Sequence, residues 1–188
     1  MNSVRSTTHI AIATALSRLL GFVRDMLIAW MFGASWQIDA FFVAFRIPNL
    51  VRRLVAEGTL SLPLVSVIMS YRHKEERKII ANDLFSLYIM SGFLISVTGI
   101  VAAPAIVKIL GFGFTGSVYS LSVVLLRIMF VYCLCASIVA YAMGVLNTEG
   151  VFFMPALSPL LLNVGIILFC FIAYLYSSVM WLAAGVVA

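Results

Sequence analysis

The stretch DAFFVAFRIPNLVRRLVAEG, residues 39–58, sets arginines into an apolar sequence long enough to form a membrane helix, and the stretch SRLLGFVRD, residues 17–25, does the same. The two stretches contain five arginines: Arg18, Arg24, Arg46, Arg52 and Arg53. No lysine precedes Lys74. A charged side chain at bilayer depth costs at least about 2.5 kcal/mol, so five of them need a reason. The planar guanidinium matches phosphate or carboxylate in two-point contact, which predicts an anion site inside a membrane.

The composition of the whole chain supports the membrane assignment. Hydrophobic residues make up 64% of the 188 residues and charged residues 10%. Mean hydropathy is +1.15. A soluble domain carries roughly 25% charged residues, so the composition excludes that class and predicts an integral membrane protein.

Apolar runs of about 20 residues or more mark the membrane helices. We predict helices near 7–32, 38–70, 83–110, 117–147 and 153–176, followed by an incomplete sixth over 179–188. The predicted fold class is all-α, a polytopic transmembrane bundle of about five complete helices and a truncated sixth. The first run exceeds the about 7 to 15 residues of a signal-peptide core, so we expect it to be retained. The sixth segment is too short to span a bilayer, so we expect a fragment or a split reading frame.

The charge pattern predicts the topology. A charged loop over 72–78 supplies four basic residues and Arg5 a fifth, all on the N-terminal side of the predicted spans. The opposite side has only Lys108, which lies at a helix end. The positive-inside rule then places the N-terminus in the cytoplasm. Within the second predicted helix, Pro48 and Pro63 each remove a backbone donor, so we expect kinks and a helix that faces a cavity.

The first two predicted helices form an antiparallel hairpin whose turn centres near residue 35, so residues whose numbers sum to about 71 share a depth. Arg18 is then level with Arg52 and Arg53. Arg24 and Asp25 are level with Arg46. The two charged tiers lie about 9 Å apart at 1.5 Å per residue.

Two interpretations of these charges stay open. Asp25 with Arg46, and Arg53 with Glu57, could neutralise one another as structural ion pairs. The five arginines still exceed the three carboxylates Asp25, Asp39 and Glu57 by two charges, and that excess favours a bound anion. Asp39, at the outer mouth, is a candidate gate residue or ligand contact. For Arg127, alone in the fourth predicted helix, we expect snorkelling or a carboxylate partner.

Other classes of function fit the sequence poorly. Voltage sensors repeat arginine every third residue along one helix, which this spacing does not. Cys133, Cys135 and Cys170 lie in apolar runs without metal-ligand spacing, and only two histidines are present. No nucleophile and base pair or phosphate-binding glycine loop appears, so we predict no enzyme activity, no metal and no cofactor.

The stretches at 17–25, 32–34 and 39–58 closely resemble the N-terminus of the MurJ/MviN lipid II flippases, of the multidrug/oligosaccharidyl-lipid/polysaccharide exporter superfamily. The rest of the chain resembles the family in helix order and in the 147–159 region. The resemblance implies a multi-pass protein of the bacterial inner membrane that serves peptidoglycan synthesis. Such a protein moves the undecaprenyl-pyrophosphate-linked precursor from the cytoplasmic to the periplasmic leaflet by alternating access.

The resemblance also implies roles for particular residues. Residues matching Arg18, Arg24, Arg52 and Asp39 are functionally required in the family, and those matching Arg24, Asp25 and Arg52 line the central cavity. We therefore expect Arg18, Arg24 and Arg52 to bind substrate. The expected cavity or gate support is Asp25, Asp39, Arg46, Arg53 and Glu57.

Length is the departure from the family, whose members have about fourteen helices in two lobes. We expect residues 1–188 to form most of the N-terminal lobe, with half a binding site. The expected partners are lipid II, membrane lipids and a second polypeptide that supplies further helices; nucleic acid is not expected. The alternatives are a flippase for another polyprenyl-linked saccharide, a non-transporting subunit and a non-functional remnant. A drug exporter is disfavoured by the arginines.

Overall fold

The computed structural model describes residues 2–57, 61–71, 73–151 and 153–188, and these residues form an all-α bundle. Its seven helices are α1 (Asn2–Phe32), α2 (Trp36–Glu57), α3 (Ser61–Ser70), α4 (Lys74–Leu110), α5 (Gly116–Thr148), α6 (Phe153–Leu175) and α7 (Met180–Val187). Within these ranges, α4 from Glu75, α5 and α6 are long and apolar enough to cross a membrane. The predicted class of a helical membrane bundle is confirmed.

Two helices begin earlier than predicted, α1 at Asn2 rather than near residue 7 and α4 at Lys74 rather than near residue 83. Of the second predicted helix, 38–70, the structure describes α2 as far as Glu57 and α3 from Ser61 as helical, and residues 58–60 lie outside the described residues. Residues 74–78, predicted as part of a charged loop, are already helical. Glu75 and Glu76 occupy the first turn of α4, where their negative charge stabilises the positive end of the helix dipole.

Helix α5 lies at the centre of the bundle. Helices α2, α3, α4 and α7 pack against it, whereas α1 packs chiefly against α6 and α6 against α7. Helix α1 ends as predicted at Phe32, and the φ of +63° at the following Gly33 suits a residue without a side chain. The consecutive helices α1 and α2 then diverge, so they do not pack along their length as a closed hairpin.

Small residues on α4 allow its close approach to α5. A Cβ atom on Gly99 would lie 2.2 Å from the Phe130 ring, and one on Gly92 would lie 2.6 Å from the Ser137 hydroxyl. Between these glycines, the Ser96 hydroxyl donates to the backbone carbonyl of Phe130 at 2.8 Å. Small residues and inter-helix hydrogen bonds are the usual means of bringing membrane helices together.

Arg127 has a partner that the sequence interpretation did not include. Pro104 lies within α4 and lacks the N–H that would bond the carbonyl of Ile100, four residues earlier. The Arg127 Nε on α5 donates to that carbonyl at 3.3 Å. The Tyr119 hydroxyl donates to the carbonyl of Pro104 itself at 3.1 Å. Of the two expectations for Arg127, carboxylate pairing is corrected, because its described partner is instead the carbonyl that a proline leaves open; snorkelling stays a prediction.

Candidate anion-binding site

Arg24, on α1, is the best-connected arginine of the candidate site. Its Nε donates to one oxygen of Asp25 at 2.9 Å, and its Nη2 lies 2.8 Å from the same oxygen in an ion pair. Its guanidinium carbon lies 5.3 Å from the centroid of the Phe45 ring on α2. Cation–π contact of this kind is worth about 0.5 to 2 kcal/mol, depending on how far the cation is desolvated. The Arg24 side chain is 14% exposed, so the guanidinium is held from several sides but still reachable.

Asn163 on α6 is the residue that sequence reasoning missed. Its Oδ1 accepts a hydrogen bond from Arg24 Nη1 at 2.8 Å, and its Nδ2 donates to the carbonyl of Ser17 at 3.0 Å. Asn163 is 7% exposed. The available signal was a single side-chain amide within the apolar segment 153–175, because a polar group in a membrane helix usually has an inter-helix partner.

The contact between Arg24 and Phe45 agrees with the depth rule for the hairpin, since Phe45 precedes Arg46. The pairing of Asp25 with Arg46, one of the two alternatives, is not formed, because Asp25 binds the neighbouring Arg24. The proposed pair of Arg53 and Glu57 lies outside the described residues, since the structure does not describe the Glu57 side chain.

The remaining predicted residues occupy different environments. Arg52 is buried in α2, at 6% exposure, and its Nε lies 3.5 Å from Asn49 Oδ1. Arg18, Arg46 and Arg53 are exposed. Asp39 is exposed in the first turn of α2, where its charge complements the helix dipole. Arg24 and Arg52 thus lie on two helices, α1 and α2, that do not pack along their length.

A cavity of about 780 Å³ lies at the end of the bundle formed by the α1–α2 and α6–α7 turns. Phe32, Gln37 and Tyr174 are among its lining residues. Its described lining contains no arginine and no carboxylate, so it is separate from the arginine site. In the described part of the chain, no group of three or more His, Cys, Asp or Glu side chains could hold a metal ion.

Comparison with known proteins decides the family. Residues 28–188 match the family model of "Lipid II flippase MurJ". The chain belongs to the lipid II flippase MurJ family. A "Lipid II flippase MurJ" of Burkholderia cenocepacia is 39% identical over 89% of this chain. A "Probable lipid II flippase MurJ" of Buchnera aphidicola, subspecies Acyrthosiphon pisum, is 40% identical over the whole chain.

A solved structure of MurJ gives the same fold. The structure titled "Lipid II flippase MurJ, inward closed conformation" superposes with a TM-score of 0.81, at 28% identity over 95% of this chain. The chain covers 38% of that structure, and 38% and 33% of the Buchnera and Burkholderia relatives. It therefore spans about a third of the length of the MurJ proteins that it matches.

Proposed function

We propose that this chain forms one wall of a transport cavity that binds the pyrophosphate of lipid II and carries it across the bacterial inner membrane. Arg24 and Arg52 supply the positive charge of this wall, and Arg18 adds a further positive charge closer to the N-terminal end of α1. The N-terminus is cytoplasmic, in line with the positive-inside charge pattern. The opposite wall comes from sequence equivalent to the rest of the MurJ length, in the same polypeptide or a second one.

The observation that carries this proposal is how the Arg24 guanidinium is paired and how exposed its partner is. The carboxylate partner, Asp25, is 49% exposed and adjacent in sequence, so this ion pair joins no second helix and contributes little to stability. The remaining hydrogen-bond partner, Asn163, is neutral. An anion can thus replace Asp25 without unfolding any helix, and bidentate arginine contacts suit the oxygens of a pyrophosphate.

The position of the arginines supports a transporter rather than a fixed lipid-binding protein. Arg24 is on α1, which packs against α6, and Arg52 is on α2, which packs against α5. Two helices that carry the candidate ligands and do not pack along each other's length can change their separation at small cost. Alternating access requires a site whose walls move in this way.

The test is binding of farnesyl pyrophosphate, a short polyprenyl pyrophosphate, to the chain in neutral maltoside micelles. We expect saturable binding that Arg24→Ala and Arg52→Ala each weaken at least about tenfold, because each loses a charge-assisted contact. Lys78→Ala is the matched control, since it removes one positive charge from an exposed residue outside the site. Binding that persists unchanged in both arginine variants would reject the pyrophosphate site.

Transport is tested separately in cells depleted of their own flippase. The chain is co-expressed with the remaining two thirds of the Burkholderia relative, and translocation of the cell-wall precursor is measured. Restored translocation is expected with the wild-type chain and not with Arg24→Ala. Equal restoration by both would contradict the assigned role.

A further inference from the structure

We propose that Asn163 is a positioning residue that holds the Arg24 guanidinium ready for the anion without neutralising it. The inference rests on the proposed anion site and assigns different roles to the two polar partners of Arg24. Asn163 is a buried, neutral and fixed partner of Arg24. Asp25 is an exposed, charged and removable one.

The orientation of the Asn163 amide follows from its two partners. The carbonyl of Ser17 can only accept a hydrogen bond, so it requires the NH₂ group of the amide at 3.0 Å. The oxygen of the amide must then face the Arg24 guanidinium, which can only donate, at 2.8 Å. Both partners belong to α1 and are seven residues apart, nearly two helical turns, so they share one face. Because the Ser17 carbonyl is part of the helix backbone, it fixes the amide and, through it, the guanidinium.

Gly21 leaves room for this arrangement. It lies between Ser17 and Arg24 on the same face of α1, and a Cβ atom built on it would be 3.5 Å from Asn163 Nδ2. That separation is ordinary van der Waals contact, so the amide lies directly against the helix surface. The α1–α6 contact therefore presents a polar group to Arg24 at a buried position, whereas Asp25 remains half exposed.

The hydrogen-bond inventory shows why a neutral anchor matters. A guanidinium has five N–H groups. In the described contacts of Arg24, Nε donates to Asp25, Nη2 lies 2.8 Å from the same Asp25 oxygen, and Nη1 donates to Asn163. Departure of Asp25 frees a pair of adjacent N–H groups on Nε and Nη2, an arrangement that suits two-point contact with a phosphate. Asn163 then keeps the side chain in place. A carboxylate at position 163 would cancel the charge of the guanidinium and, having no N–H, would also lose the bond to the Ser17 carbonyl.

The decisive experiment moves the carboxylate without changing the net charge. In the double variant Asn163→Asp/Asp25→Asn, Arg24 again faces one carboxylate, now on the buried side, where it cannot withdraw. We expect this variant to bind farnesyl pyrophosphate at least about tenfold more weakly than the wild type, and Asn163→Leu, of similar volume, about tenfold more weakly. Wild-type affinity in the double variant would show that net charge alone governs binding and would overturn the proposal. If either variant fails to fold, as judged by circular dichroism and gel filtration, Asn163→Ala is measured in its place.

A second measurement separates this inference from the proposed function. If the wild-type chain binds no farnesyl pyrophosphate, the pyrophosphate site itself is rejected. Thermal unfolding of Arg24→Ala, Asn163→Leu and the combined variant then measures whether the two side chains act together. Non-additive effects support the positioning contact, and additive effects reject it.

Discussion

Replacing Asp25 by asparagine tests whether this carboxylate competes with the anion for Arg24. Asparagine keeps the size and the acceptor oxygen of the side chain but removes its charge. In the structure, one carboxylate oxygen of Asp25 lies 2.9 Å from Arg24 Nε and 2.8 Å from Nη2. An incoming pyrophosphate must displace this oxygen, so weakening the ion pair lowers the free energy needed to bind.

The expected gain is modest because the Asp25 side chain is 49% exposed and water screens the pair. Two unit charges about 4 Å apart interact by about 1 kcal/mol in bulk water, and exposed ion pairs contribute about 0.2 to 1 kcal/mol. Taking the upper part of that range, Asp25→Asn should bind farnesyl pyrophosphate about threefold to fivefold more tightly. The gain should shrink at high salt, because salt already screens the competing charge.

The assay is a titration of the micelle-bound chain with farnesyl pyrophosphate at low and high salt. Glu75→Gln is the matched control, since it removes one negative charge from a side chain that is 82% exposed on α4. Weaker binding by Asp25→Asn would refute the reasoning, because Asp25 would then orient Arg24 rather than compete for it. An equal gain in Glu75→Gln would refute it too, since only the overall charge would matter.

Two further predictions concern the framework that positions the site. Gly99→Ala should lower the stability of the chain by about 1 to 3 kcal/mol, because its Cβ atom would overlap the buried Phe130 ring, whereas Gly21→Ala should fold normally. Thermal unfolding in micelles checks both, and equal melting temperatures would contradict the packing argument. Arg127→Met should lower the stability of the wild-type chain by more than it lowers the stability of the Pro104→Ala variant. In that variant, alanine supplies the N–H that the carbonyl of Ile100 otherwise lacks. Additive effects in a double-mutant cycle would show that Arg127 does not act through this carbonyl.

The helix boundaries show how much of the fold the local hydropathy pattern predicts. Long apolar runs predicted α4, α5 and α6 within a few residues, apart from the start of α4, because hydropathy over 20 residues is a property of the sequence itself. The start of α4 was placed too late, since residues 74–78 are charged and were taken for a loop.

The candidate site shows the other limit. The sequence by itself predicted a membrane protein with a cluster of arginines near its N-terminus, and it determined that Arg24 stands beside Asp25. It also carried the MurJ resemblance that comparison confirmed. Tertiary structure alone decided that Asn163, 139 residues away, bonds Arg24, and that α1 packs on α6 while α2 packs on α5. The physical reason is that charge and hydropathy are properties of neighbouring residues in the sequence. The partner of a buried polar group depends instead on which helices approach each other closely in the fold.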